Sequence, residues 1–166
     1  KNKGAFMLKN KIALITGSTS GIGLAAAHVL AEQGIDLILH GLMSNEEGEA
    51  LASSFAEKYH INTLFNNADL RDPQAISDFI DAAIIKMGSI DILINNAGIQ
   101  HTESAVNFPL NKWNDIIAIN LSAAFHAIQK SLPCMQKKKW GRIINIASVH
   151  GLVGSVNKSA YCAAKH

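Results

Sequence analysis

Tyr161 and Lys165 stand four residues apart near the end of the sequence. On a helix that spacing sets both side chains on one face. An ammonium held beside a phenol favours the phenolate, which brings a group of ordinary pKa about 10 towards acid/base use. Ser148 and His150 lie upstream, two residues apart, so extended backbone would point both side chains the same way. Lys158 falls three residues before Tyr161, and Gln100 follows the run Asn95-Asn96-Ala97-Gly98. Gln100, His150 and Lys158 all carry hydrogen-bond donors suited to a small carboxylate.

A second constellation lies near the start, at Gly17-Ser18-Thr19-Ser20-Gly21-Ile22-Gly23. Gly17 can make a turn, Gly21 lets backbone approach a pyrophosphate, and Gly23 permits close helix–strand packing. A helix opening there offers free N–H groups and the positive end of its dipole to phosphates. No Gly-Lys-Ser/Thr follows, which excludes a P-loop.

These residues need elements to hold them. Apolar runs at 11–16, 36–40, 62–67, 90–95 and 141–147 read as strands. Helical patterns fall between them: 24–33 closed by Gly34, 45–59, and one after Asp72-Pro73 ended by Gly88. A long helix is expected from about Asn111 to Gln136, and a last one opening near Ser159. Residues 98–109 read as loop. Strands alternating with helices imply right-handed βαβ units and a parallel sheet covered on both faces. The expected fold is therefore a doubly wound α/β sheet.

Composition narrows the function. The sequence has 166 residues, 48% of them hydrophobic, and a formal net charge of +2. That balance supports one well-filled domain and gives no argument for nucleic acid or a membrane surface. No apolar run reaches the about 20 residues of a spanning helix. Cys134 and Cys162 form neither a CxxC nor a disulfide framework, and the seven histidines show no metal-ligand spacing. A cytoplasmic protein without metal is expected. Residues 1–8 read as a leader and 9–166 as a single nucleotide-binding domain.

Thr16-Gly17-x-x-x-Gly21-Ile22-Gly23, Asn95-Asn96-Ala97-Gly98, and Ser148 followed by Tyr161-x-x-x-Lys165 together resemble the short-chain dehydrogenase/reductase family. The resemblance runs from end to end of the chain and implies a Rossmann-type sheet with strands ordered 3-2-1-4-5. It implies Tyr161 as general acid/base, Lys165 as its electrostatic partner and a ligand of the nicotinamide ribose, and Ser148 as orienting donor. Asn120 matches the family asparagine that holds a water linking Lys165 to solvent. For the cofactor it implies Gly17, Thr19, Gly21, Ile22 and Gly23 around the phosphates, Asp69 and Leu70 at the adenine, and Asn96 at the adenosine ribose. Tyr161 and Lys165 complete that set.

The position that often carries an aspartate in NAD-preferring members is Gly41. No cation stands at Ser20, Gly41 or Leu42 to hold a 2′-phosphate, so NAD is expected. The stretches 98–101, 140–151 and 158–161 resemble the D-3-hydroxybutyrate dehydrogenase branch. There Gln100, Ser148, His150, Lys158 and Tyr161 would bind the substrate, with the first, third and fourth on its carboxylate. The resemblance further implies a homotetramer and a longer chain, with the last strands and a substrate lid beyond His166. Another short-chain reductase, acting on a 3-oxoacyl thioester, and a non-catalytic nucleotide-binding protein are the alternatives.

Overall fold

The computed structural model describes residues 8–166, so the expected leader lies, Leu8 apart, outside the described residues. The strands are β1 (Ile12–Ile15), β2 (Asp36–His40), β3 (Thr63–Asn66), β4 (Ile92–Asn95) and β5 (Arg142–Asn145). They form one parallel sheet in the order β3-β2-β1-β4-β5, as expected. The helices are α1 (Gly21–Glu32), α2 (Asn45–Tyr59), α3 (Pro73–Met87), α4 (Leu110–Ile117), α5 (Ala123–Lys138) and α6 (Ser159–Lys165).

Side chains alternate across the strands, and each face finds its own helices. Ala13, Ile15, Leu37, Leu39, Ile92 and Ile94 pack with Ala27 and Ala31 of α1 and with Phe55 of α2. Leu14, Ile38 and Leu93 face the other way, against Ile76, Phe79 and Ile80 of α3 and Ala127 of α5. Both layers close on β1, β2 and β4 because their inner positions are apolar, with polar Asp36, His40 and Asn95 confined to strand ends.

Local chemistry sets the helix ends. Ser44 and Glu47 form a reciprocal capping box on α2. Asp72 accepts from the Gln74 N–H, with Pro73 in the first turn of α3, and Gly88 closes that helix at φ +90°. At the amino end of β4, fully buried Asp91 accepts from the Ile12 N–H at 3.1 Å and from Lys138 Nζ at 2.7 Å. That carboxylate ties β1, β4 and the end of α5 together, on the side of the sheet away from the glycine turn.

Two differences from the sequence reading matter for the site. Helix α1 begins at Gly21 rather than Leu24, so Gly21 and Gly23 belong to its first turn. The expected long helix is interrupted at Ala118–Ser122 by a wider π-helical turn, where the Ala123 N–H reaches the Ala118 carbonyl. A period of 3.6 does not reveal one inserted residue. The insertion brings Asn120 inward to 9% exposure.

Candidate active site

The glycine turn, the end of β4 and the end of β5 meet at the carboxyl ends of the strands. The strand order reverses between β1 and β4, the usual position of a ligand crevice in such sheets. Thr16 joins the two: its Oγ1 accepts from the N–H groups of Asn96 and Ala97 at 3.0 and 3.1 Å. Asn96 Nδ2 answers by donating to the carbonyls of Thr16 and Gly17, both at 2.9 Å. Asn95 Nδ2 donates to Asn145 Oδ1 at 2.8 Å, so β5 is bound into the same node.

A cleft of about 360 Å³ opens on this node, lined among others by Gly17, Thr19, Gly21, Ile22 and Leu70. Its residues fit a dinucleotide. Gly21 has φ +53° and open space where a Cβ would stand, whereas a Cβ on Gly23 would lie 2.2 Å from the Gly17 carbonyl oxygen. The first turn of α1 has no acidic residue, and its Ser20 cap makes no side-chain hydrogen bond. Its N–H groups are thus available to an anion. A Cβ on Gly41 would come within 2.4 Å of Thr19 Oγ1 and Cγ2, so a larger residue there requires the Thr19 side chain to shift.

Asp69 and Leu70 follow β3. Leu70 is buried and lines the cleft. Asp69 is held in a fork by Arg71, whose hydrogen bonds keep the carboxyl below the usual carboxylate range.

The Tyr–Lys pair stands on α6, one turn apart. Lys165 Nζ lies 6.0 Å from the Tyr161 ring centroid and donates to the Ile146 carbonyl at 2.7 Å. Burial lowers the Lys165 pKa from its ordinary value of 10.5. A cavity of about 290 Å³ touches Lys165 and Asn120 and shares Leu70, Ala97 and Ile119 with the dinucleotide cleft. Asn120 clamps the peptide of Ile99: its Oδ1 accepts from the Ile99 N–H and its Nδ2 donates to the Ile99 carbonyl, each at 2.8 Å.

Ser148 and His150 do not lie in extended backbone. Ser148 caps a single 3₁₀ turn over Val149–Gly151, its Oγ accepting from the His150 N–H at 3.2 Å. The turn brings His150 beside Tyr161 and Lys158. Its ring meets Tyr161 edge-on at 6.1 Å, its Nδ1–H donates to the Val153 carbonyl at 3.4 Å, and its Nε2 accepts from Lys158 Nζ at 3.5 Å. Gln100 is exposed and donates to Thr102 Oγ1 at 3.3 Å; among the described residues it bonds neither His150 nor Lys158. Its loop is stitched to the Lys158 turn by the Glu103 N–H, which donates to the Asn157 carbonyl at 2.9 Å.

One residue was not singled out from the sequence. His40 ends β2, is 2% exposed and bonds both the glycine turn and the end of β3. The signal was a polar residue closing an otherwise apolar strand at the carboxyl edge of the sheet.

The description "short chain dehydrogenase" matches residues 11–166, and the chain belongs to that family. It is 48% identical over 156 residues to the D-beta-hydroxybutyrate dehydrogenase of Rhizobium meliloti (strain 1021), a match that covers 94% of this chain and 60% of that one. It is 47% identical over 160 residues to the enzyme of the same name from Cupriavidus necator, covering 96% and 61%. A crystal structure of an NAD+-bound xylitol dehydrogenase superposes with a TM-score of 0.86 at 30% identity, over 95% of this chain and 60% of that one. The chain therefore spans about three fifths of the length of these relatives.

Proposed function

We propose that this chain carries the cofactor seat and the proton-transfer group of an NAD-dependent oxidoreductase that interconverts (R)-3-hydroxybutyrate and acetoacetate. One juxtaposition supports the reading most directly. Lys158 Nζ stands 3.5 Å from His150 Nε2, and the His150 ring stands 6.1 Å from Tyr161. Lys158, positioned by His150, thus offers a charged donor for a carboxylate beside a phenol for the hydroxyl of the same small molecule. Gln100 adds a further donor from the opposite loop, once its side chain leaves Thr102.

In oxidation Tyr161 takes the substrate hydroxyl proton; in reduction it returns one to the carbonyl oxygen. Ser148 accepts from the His150 N–H, so its own hydroxyl proton is left to point at the substrate oxygen and orient it. Lys165 favours the phenolate by its charge, and the proton leaves towards solvent past Asn120. NAD, when bound, supplies the hydride acceptor. Gly17, Thr19, Gly21, Ile22 and Gly23 would hold its phosphates, Asp69 and Leu70 its adenine, and Asn96 one ribose through the carboxamide oxygen. Tyr161 and Lys165 would hold the other ribose. The absence of a cation at Ser20, Gly41 and Leu42 favours NAD over NADP.

We extend the reading to a homotetramer in the cytoplasm. Leu110 on α4, Leu121 in the π turn, and Phe125 and Leu132 on α5 are exposed apolar residues, and the free thiols Cys134 and Cys162 suit a reducing compartment. The test follows NADH absorbance in the full-length protein with (R)-3-hydroxybutyrate, its S enantiomer, and acetoacetyl thioester plus NADPH. Turnover of the R acid with NAD is expected. Turnover of the thioester alone would replace this reading with a thioester reductase.

A further inference from the structure

The geometry points to His40 as a positioning residue for the dinucleotide, fastening the glycine turn to the end of β3 in its neutral, Nε2–H form. It rests on dinucleotide binding in the glycine cleft and on nothing about the substrate. Gly17 at the head of the turn is held from both sides. Its carbonyl accepts from Asn96 Nδ2 at 2.9 Å, and its N–H donates to His40 Nδ1 at 3.1 Å. The other ring nitrogen, Nε2, donates to the Ala68 carbonyl at 2.9 Å, immediately before Asp69 and Leu70. One imidazole therefore links the phosphate side of the cleft to its adenine side.

Both partners are backbone groups with fixed roles. A peptide N–H only donates, so Nδ1 must be bare; a peptide carbonyl only accepts, so Nε2 must carry the proton. The backbone of His40 is pinned as well, its N–H donating to Ser18 Oγ at 2.9 Å and its carbonyl accepting from the Ser18 N–H at 2.8 Å. Phe79 of α3 stacks on the ring at 5.7 Å. The charged group acting on it is Asp69, on the turn after β3, which Arg71 already binds.

A second proton on the ring would set N–H against N–H at Gly17. The turn has little room to yield, since Gly17 adopts φ +64° and a Cβ there would lie 3.0 Å from Ala97 Cα. Burial lowers the His40 pKa from its ordinary value of 6.5, although Ala68 and Asp69 pull the other way. The neutral form thus holds through neutrality, and cofactor affinity falls as acid protonates the ring.

The test measures the Kd of NAD and of NADPH by calorimetry, in the full-length protein, from pH about 8 to about 5. For the wild type we expect a flat profile at the alkaline end and NAD weakening up to about tenfold per pH unit on the acid limb. Asn can reproduce Nδ1 as an acceptor and Gln can reproduce Nε2 as a donor. His40→Asn should lose the acid limb and weaken NAD at pH about 8 less than His40→Gln, for which loss of the Gly17 bond predicts about tenfold. A ¹⁵N spectrum of the wild type, free of cofactor, should show the Nε2–H tautomer. An unchanged acid limb in His40→Asn, or an Nδ1–H tautomer, overturns the assignment. Failure of the wild type to bind either dinucleotide at any pH overturns the cofactor reading beneath it.

Discussion

Tyr161, Lys158 and Lys165 occupy neighbouring turns of backbone yet meet very different surroundings. Tyr161 faces His150 and is half-buried, while Lys165 is drawn inward and bonded to the Ile146 carbonyl. Replacing Tyr161 by Phe removes the proton carrier and leaves the ring. We expect kcat to fall by about 10² to 10⁴ and the Kd for NAD to rise by no more than about tenfold, the worth of one ribose hydrogen bond, as measured by stopped-flow and calorimetry. Lys158→Ala leaves the proton-transfer group in place and removes a charged donor worth about 1.5–3 kcal/mol. Its KM for the hydroxy acid should rise at least tenfold with kcat nearly kept; an unchanged KM would make Lys158 a surface lysine. These residues were legible because their types and spacing carry chemistry. His40 was not, because an imidazole at a strand end has no meaning until the fold shows which backbone groups reach its two nitrogens.

At the scale of elements, the first turn of α1 must press against the turn that precedes it. A Cβ on Gly23 would stand 2.2 Å from the Gly17 carbonyl oxygen and 2.5 Å from Asn96 Nδ2. Gly23→Ala should therefore lower Tm and abolish dinucleotide binding together, while Gly34→Ala, where a Cβ meets open space but φ is +72°, should cost about 1 kcal/mol and spare binding. Chemical denaturation and a cofactor titration on both variants would separate the effects. The π turn at Ala118–Ser122 belongs to this scale too. Asn120→Leu removes both bonds to the part-buried Ile99 peptide, and a loss of about 1–3 kcal/mol is expected from the two together. The element boundaries were readable from end residues such as Asp72 and Gly88. The π insertion was hidden, since apolar residues continue on both sides of it.

For the molecule as a whole, the sheet is well covered on one side of its centre and thinly on the other. β5 is exposed along its whole length, and among the described residues no strand lies beyond it. Ile143 and Ile144 are 36% and 45% exposed. An unpaired apolar edge templates further pairing. The 166-residue chain prepared by itself should accordingly self-associate in light scattering, and Ile144→Lys should reduce it.

The alternation of apolar strands with capped helices, and three motifs in family order, were enough in the sequence to determine the doubly wound sheet and its strand order, and to single out Tyr161 and Lys165 as the pair proposed for proton transfer. Those features are local, periodic or tied to residue type. Only the tertiary structure decided which groups meet across chain distance: His40 between Gly17 and Ala68, Asn120 on Ile99, and His150 against Lys158 after a 3₁₀ turn rather than an extended one. Hydrogen bonds between such pairs depend on distances of a few tenths of an ångström, and packing sets those distances where no spacing along the chain records them.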